Sequence, residues 1–240
     1  MFGFGTILNV AGILAGGCMG LLFGRRMEKR YQDTLMNAVA LCVLFIGIGG
    51  CMEKMLSITE TGLSSGGSMM MIACFAIGAL IGEWLDIDDR MEAFGIWLRE
   101  KTKSNGDASF VDGFVSASLT VCIGAMAVVG SIQDGIYGNY SILAAKAVLD
   151  MIIVLVMTAS LGKGCLFSAI PVGIFQGLMT LLARFVEPLM TEEALSAMSL
   201  TGSILIFCVG VNLIWGKKIK VANLLPSIFL AVFWPLTPWA

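Results

Sequence analysis

Lys146 and Asp150 stand four residues apart inside the apolar run from Ser141 to Leu161. On a helix that spacing puts both side chains on one face, where they can pair. An ionisable group at membrane depth costs at least about 2.5 kcal/mol on insertion scales, so it faces a protein interior or a wet cavity and is a functional candidate by default. Two chemistries fit. Either the pair neutralises itself and only fixes helix packing, or Asp150 receives a coupling cation or proton while Lys146 counters its charge or holds an anionic group. Lys146 lies about 8 Å in from Ser141 at 1.5 Å per residue and can snorkel outward, whereas Asp150 is near mid-span.

Just upstream, the stretch GAMAVVGSIQDGIYGN from Gly124 to Asn139 poses a related choice. A fourth helix running unbroken from Phe110 would carry Gly130 to the surface and leave Gln133 and Asp134 in a plain, watered turn. A helix that unwinds near Gly124 or Gly130 would free backbone groups that need partners from protein, ions or cavity water, and Gln133 and Asp134 would become pocket residues. Gln176, between glycines and near Pro171, is a further candidate. Asn9 is another, on nearly the same stripe as Gly12, Gly16, Gly20 and Gly24. Four-residue glycine spacing admits a second backbone at close range; the expected partner helix belongs to this chain, the alternative being a second copy. Asp112, Ser116 and Thr120 form a drifting polar stripe, and Ser199, Ser203 and Gly210 share a face. Each hydroxyl taken alone is expected to bond its own helix at the carbonyl four residues back.

The elements that must position these residues follow from composition. With 58% hydrophobic and 13% charged residues in 240, too little polar surface exists to coat a soluble globule. The chain is read as a polytopic transmembrane helical bundle, all-α, whose environment is the lipid bilayer. A net charge of -2 and no basic block leave no electrostatic footprint for nucleic acid. There is no histidine, and the seven cysteines form no Cys-x-x-Cys pair, so neither a zinc site nor a redox motif can be written. With no phosphate-loop spacing and no nucleophile elbow either, an enzyme ranks last and no cofactor or metal is implied.

A helix needs about 20 apolar residues to cross the hydrocarbon. Eight candidates are Phe4 to Phe23, Leu35 to Met52, Met69 to Leu85, Phe110 to Val129, Ser141 to Leu161, Cys165 to Phe185, Leu195 to Trp215 and Val221 to Pro235. The last contains Pro226, so seven spans is the rival count. Alternate loops hold Arg25, Arg26, Lys29, Arg30; Arg90, Arg99, Lys101, Lys103; Lys163; and Lys217, Lys218, Lys220, against only Lys54 and Arg184 opposite. Cytoplasmic loops retain such residues, which places both termini outside the cytoplasm. Residues 86–102 set Ile87, Met91, Phe94 and Leu98 on one face, the pattern of an interfacial helix or of one packed on the protein's own underside. The loop after it, SNGD, reads as a linker, and TGLSSGGS reads as an outer Gly/Ser loop. The whole chain, 1–240, is read as a single membrane domain. Within it, Gly12-Ile13 and Gly16 match Gly173-Ile174 and Gly177, and a shift of 163 lays Gly47 on Gly210. The corresponding halves, 4–85 and 165–235, would have opposite parity, an inverted repeat of spans 1–3 and 6–8 of the kind that secondary transporters use.

The runs GAMAVVGSIQDG, LAAKAVLD, SAIPVGIFQGLMTLLA, LTGSILIFCVGVNLI and IKVANLLPSIFLA, with GTILNVAGILAGG at the start, resemble bacterial membrane proteins grouped as domain of unknown function 554. The resemblance covers nearly the whole chain and implies a multi-pass protein of the bacterial cytoplasmic membrane, with no activity attached. Its signature includes Gln133, Asp134, Lys146, Asp150 and Gln176. Where that pattern carries a hydroxyl residue this chain has Ala147. The functional expectation is a secondary transporter or permease for a small polar or ionic solute, with Asp150 and Lys146 at the site. Gln133, Asp134 and Gln176 would supply hydrogen bonds. A channel is its nearest relative, and the alternative class is a structural or assembly protein that locks helices and binds a partner, including a second copy.

Overall fold

The computed structural model describes residues 3–24, 28–59, 62–104, 109–122 and 125–237. Arg25 and Arg26 of the charge count, most of the SNGD linker and the Gly124 break point lie outside the described residues. The described chain is 86% helical, as the composition requires. Its helices are α1 (Phe4–Gly24), α2 (Lys29–Met55), α3 (Ser68–Leu85), α4 (Ile87–Lys101), α5 (Phe110–Cys122), α6 (Ala125–Tyr137), α7 (Ser141–Leu161), α8 (Ala169–Leu181), α9 (Ala183–Val186), α10 (Glu192–Trp215) and α11 (Pro226–Phe233).

Six segments are long and apolar enough to cross a bilayer: α1, α2, α3, α7, α10, and α8 with the 3₁₀ turn that precedes it (Lys163–Leu181). A seventh results if α5 and α6, bent by 61°, are one span. The stretch expected as the eighth, Val221 to Pro235, falls in a segment, Val221–Leu236, that is broken into 3₁₀, α and 3₁₀ pieces around Pro226 and is shorter than the rest. At 1.5 Å per residue it reaches only about 24 Å, less than the roughly 30 Å of hydrocarbon.

Two expectations change at the surface. α2 starts at Lys29, earlier than its apolar run, because its polar first turns can stand in water while continuing the hydrogen-bond ladder. The expected Gly/Ser loop contributes a strand to an antiparallel hairpin, β1 (Leu56–Thr59) with β2 (Gly62–Ser65). Pairing these strands satisfies backbone groups that a loop would leave to solvent.

The chain forms two compact units, each drawn from two stretches. The first comprises residues 1–40 and 89–186. Its centre is α1 lying parallel to α7, where the glycine stripe meets backbone: a Cβ on Gly12 would lie 2.8 Å from the Ala147 carbonyl oxygen and one on Gly24 2.7 Å from that of Ala159. Gly16 and Gly20 abut Met151 and Leu155 in the same way, so the stripe's partner is a helix of the same chain. α8 runs antiparallel to α1, with Thr6 beside Thr180 and Val10 beside Gly173. α4 packs on α5 through Leu98, Phe110 and Phe114, leaving Phe94 stacked on Trp97 at its outer edge.

The second unit comprises residues 41–88 and 187–240. In it α2 meets α10 and α3 meets α11, each pair antiparallel, through Gly47, Gly210, Gly78 and Gly82. A polar clasp closes one end. Asn223 accepts from the Asp88 N–H at 2.7 Å and donates to Glu83 at 2.7 Å, while Lys217 pairs with Asp88 at 2.6 Å.

Candidate functional site

The site lies in the first unit, where α1, α6, α7 and α8 bring polar groups into an otherwise apolar interior. Lys146 Nζ sits 2.8 Å from both carboxylate oxygens of Asp150. It also donates to the Val121 carbonyl at 2.8 Å. That carbonyl belongs to the last turn of α5, whose end carries negative partial charge and no helical partner, so a cation there is doubly favoured. Asn9 donates its amide to Asp150 Oδ2 at 3.0 Å. Both oxygens are thus engaged while the pair is closed, Oδ2 by two donors and Oδ1 by one.

Asp134 lies one turn nearer the start of α1. Its Oδ2 accepts from the Gly5 N–H at 2.9 Å, satisfying one of the orphan donors at the start of α1. Its Oδ1 has no partner. One residue on from Gly5, the Thr6 hydroxyl faces that of Thr180 at 3.4 Å. Gly135 brings α6 against α8, since a Cβ there would lie 2.5 Å from the Thr180 carbonyl oxygen. One turn before Thr180, Gln176 has neither amide atom paired among the described residues, and Asn9 Oδ1 is likewise without a partner there. Asn9, Asp134 and Gln176 are each 0% exposed, Asp150 3% and Lys146 7%.

Five of the six expected site residues thus lie buried in this unit, and Gln133 does not join them. It is only half-buried, and its side chain accepts from Asn139 at 3.3 Å, tying α6 to the turn before α7. On a helix, successive residues point about 100° apart, so Asp134 turns inward where Gln133 turns out. Gly130 lies inside α6 and is not a point of unwinding. α5 ends at Cys122 and α6 begins at Ala125, and Asp134 is buried on α6 rather than exposed in a turn. The hydroxyl stripes take their local reading: Thr120 bonds the Ser116 carbonyl and Ser203 that of Ser199. Sequence reading missed Thr6, Thr180 and the Val121 carbonyl. Thr6 lies three residues before Asn9 and Thr180 four after Gln176, so helical spacing from the known candidates could have found both. Among the described residues no group of three His, Cys, Asp or Glu is placed to hold a metal ion.

The family described as "Protein of unknown function (DUF554)" matches residues 4–236. The chain belongs to that family. It is 30% identical over 227 residues to the "Uncharacterized membrane protein YdfK" of Bacillus subtilis, covering 95% of this chain and 93% of the relative. It is 26% identical over 232 residues to the "Uncharacterized protein YqgA" of Escherichia coli, covering 95% and 94%. No solved structure matches.

Proposed function

We propose that this protein is a secondary transporter or permease for a small polar or ionic solute, with its site formed by Asn9, Asp134, Lys146, Asp150 and Gln176. One observation carries the reading: Gln176 is wholly buried with both amide atoms unpaired. A buried polar group without partners costs about 1–3 kcal/mol, a cost that a visiting polar ligand offsets. The bent α5–α6 pair supports it, since half-helix ends at membrane depth line transport sites.

The inverted repeat belongs to the same reading. The expected partners, α1 with α8, α2 with α10 and α3 with α11, each pack antiparallel. In the second unit Gly47 meets the Phe207 backbone and Gly210 meets Leu44. The shift of 163 that lays Gly47 on Gly210 also lays Leu44 on Phe207, so the two contacts exchange. The excess of Lys and Arg on alternate loops supports an N-terminus outside the cytoplasm.

Solid-supported-membrane currents from proteoliposomes, challenged with amino acids, carboxylates, polyols and inorganic cations, test the proposal. Gln176→Leu removes both unpaired atoms at similar volume. It should lower the current of the responsive solute at least tenfold while raising thermal stability. A wild type silent to the whole panel, or a Gln176→Leu variant that transports normally and is less stable, would refute it. The closed Lys146–Asp150 pair favours the second reading, a helix lock without transport; there Asp150→Asn should lower stability and leave every flux unchanged.

A further inference from the structure

We infer that Asp134, with Thr6 and Thr180, forms a binding site for a monovalent metal cation of about sodium size, at the end of the buried polar set where α1 begins. The inference rests on the transport reading of the same site and names its coupling ion.

Charge supplies the first argument. Asp134, Lys146 and Asp150 are the ionisable groups buried in this set, and Lys146 is already matched to Asp150 at 2.8 Å. A net charge of one electron is left on Asp134, which is 0% exposed. Among the described residues no Lys or Arg pairs with it. Its one recorded partner is the Gly5 N–H at the start of α1, and a helix N-terminus supplies only about half a positive charge. A buried carboxylate in this state is offset either by a further cation or by a proton, and the donor geometry beside it favours the cation. One monovalent ion brings the set to neutrality, whereas a divalent ion would leave it positive.

Donor geometry supplies the second. Asp134 Oδ1 is buried and unpaired, an oxygen with nothing to accept from. The Thr6 and Thr180 hydroxyl oxygens are 3.4 Å apart, beyond the 2.5–3.0 Å of a good O–H···O bond. Two oxygens at adjacent corners of an octahedron with bonds of about 2.4 Å, the length for hard cations of this size, lie about 3.4 Å apart. The hydroxyls make at most a long, weak bond to each other, and their spacing also suits two ligands of one ion. Asn9 Oδ1 and Gln176 Oε1, unpaired one turn away along α1 and α8, continue the run of oxygen acceptors inward. All of these are hard oxygen donors, which select alkali and alkaline-earth ions over softer metals.

The test uses the full-length protein purified in detergent. Its thermal midpoint is followed as sodium chloride replaces choline chloride at constant ionic strength, with lithium and potassium chloride in parallel. A saturable rise with sodium is expected. Asp134→Asn, which keeps an acceptor for the Gly5 N–H, should weaken the apparent sodium affinity at least tenfold. Thr180→Val should weaken it severalfold, and it carries the test if Asp134→Asn does not fold. Equal midpoints in all four salts would overturn the site, as would an undiminished sodium response in both variants. A midpoint that follows pH and ignores sodium would overturn it too, assigning a proton to Asp134. Solute currents separate the two proposals: sodium binding without any solute flux leaves the cation site standing and removes the transporter, and flux indifferent to sodium does the reverse.

Discussion

Replacing Lys146 by methionine tests whether the buried pair holds α7 against its neighbours. Methionine keeps most of the stem but removes the ammonium that lies 2.8 Å from both Asp150 oxygens and from the Val121 carbonyl. Asp150 keeps only the Asn9 amide, at 3.0 Å, and stays 3% exposed. Removing one partner of a buried ion pair costs about 3–5 kcal/mol, because an uncompensated charge remains inside. Within a bilayer or micelle the separated helices also find partners, so the lower end, about 3 kcal/mol, is the expected loss. The double variant Lys146→Met with Asp150→Leu substitutes an apolar pair of similar volume, a change that is often neutral or stabilising. It should regain about 2–3 kcal/mol over Lys146→Met, a coupling that a double-mutant cycle reads directly. The assay is reversible unfolding in mixed dodecylmaltoside and SDS micelles, followed by tryptophan fluorescence. A single variant within about 1 kcal/mol of wild type, or a double variant weaker than the single, would show that the pair does not lock the helices.

Gly16→Val drives a side chain into the Met151 backbone and should cost about 1–3 kcal/mol in the same assay; Gly177→Ala, where a Cβ meets nothing within 4 Å, should stay within about 0.5 kcal/mol. Asn223→Ala removes the bonds to Asp88 and Glu83, both 2.7 Å, and should cost about 2 kcal/mol, whereas Lys220→Ala, losing an exposed pair with Glu83, should cost clearly less. With the seven native cysteines replaced, Ser64→Cys on the hairpin should react with an impermeant maleimide on intact cells, and Lys103→Cys only after permeabilisation. The opposite labelling would invert the orientation.

The Lys146–Asp150 pair was legible because it is a property of one helix: residues four apart share a face whatever the helix packs against. The glycine stripe of α1 was legible for the same reason, and its four-residue period announced a backbone neighbour. Asn9 was picked from its place on that stripe, but its bond to Asp150 spans 141 positions of sequence, and no local rule predicts it. Gln133 and Asp134 are adjacent and equally polar. The direction in which α6 leaves the break buries one and not the other, so the sequence offered them as equals. Thr6 and Thr180 passed unnoticed because a hydroxyl in a helix usually bonds its own backbone. These two face each other only because α8 lies antiparallel to α1.

Taken alone, the amino-acid order settled the solvent. A chain with 58% hydrophobic residues must fold in lipid as helices that satisfy their own backbones, and its periodicities decide which side of each helix is small, polar or charged. Tertiary packing decided which of those sides meet. It put Asn9 and Lys146 on Asp150, the start of α1 on Asp134, and left Gln176 inside without partners. The physical reason is range: helix periodicity arises from bonds between residues four apart, whereas the position of one helix against another depends on contacts between stretches more than a hundred residues distant.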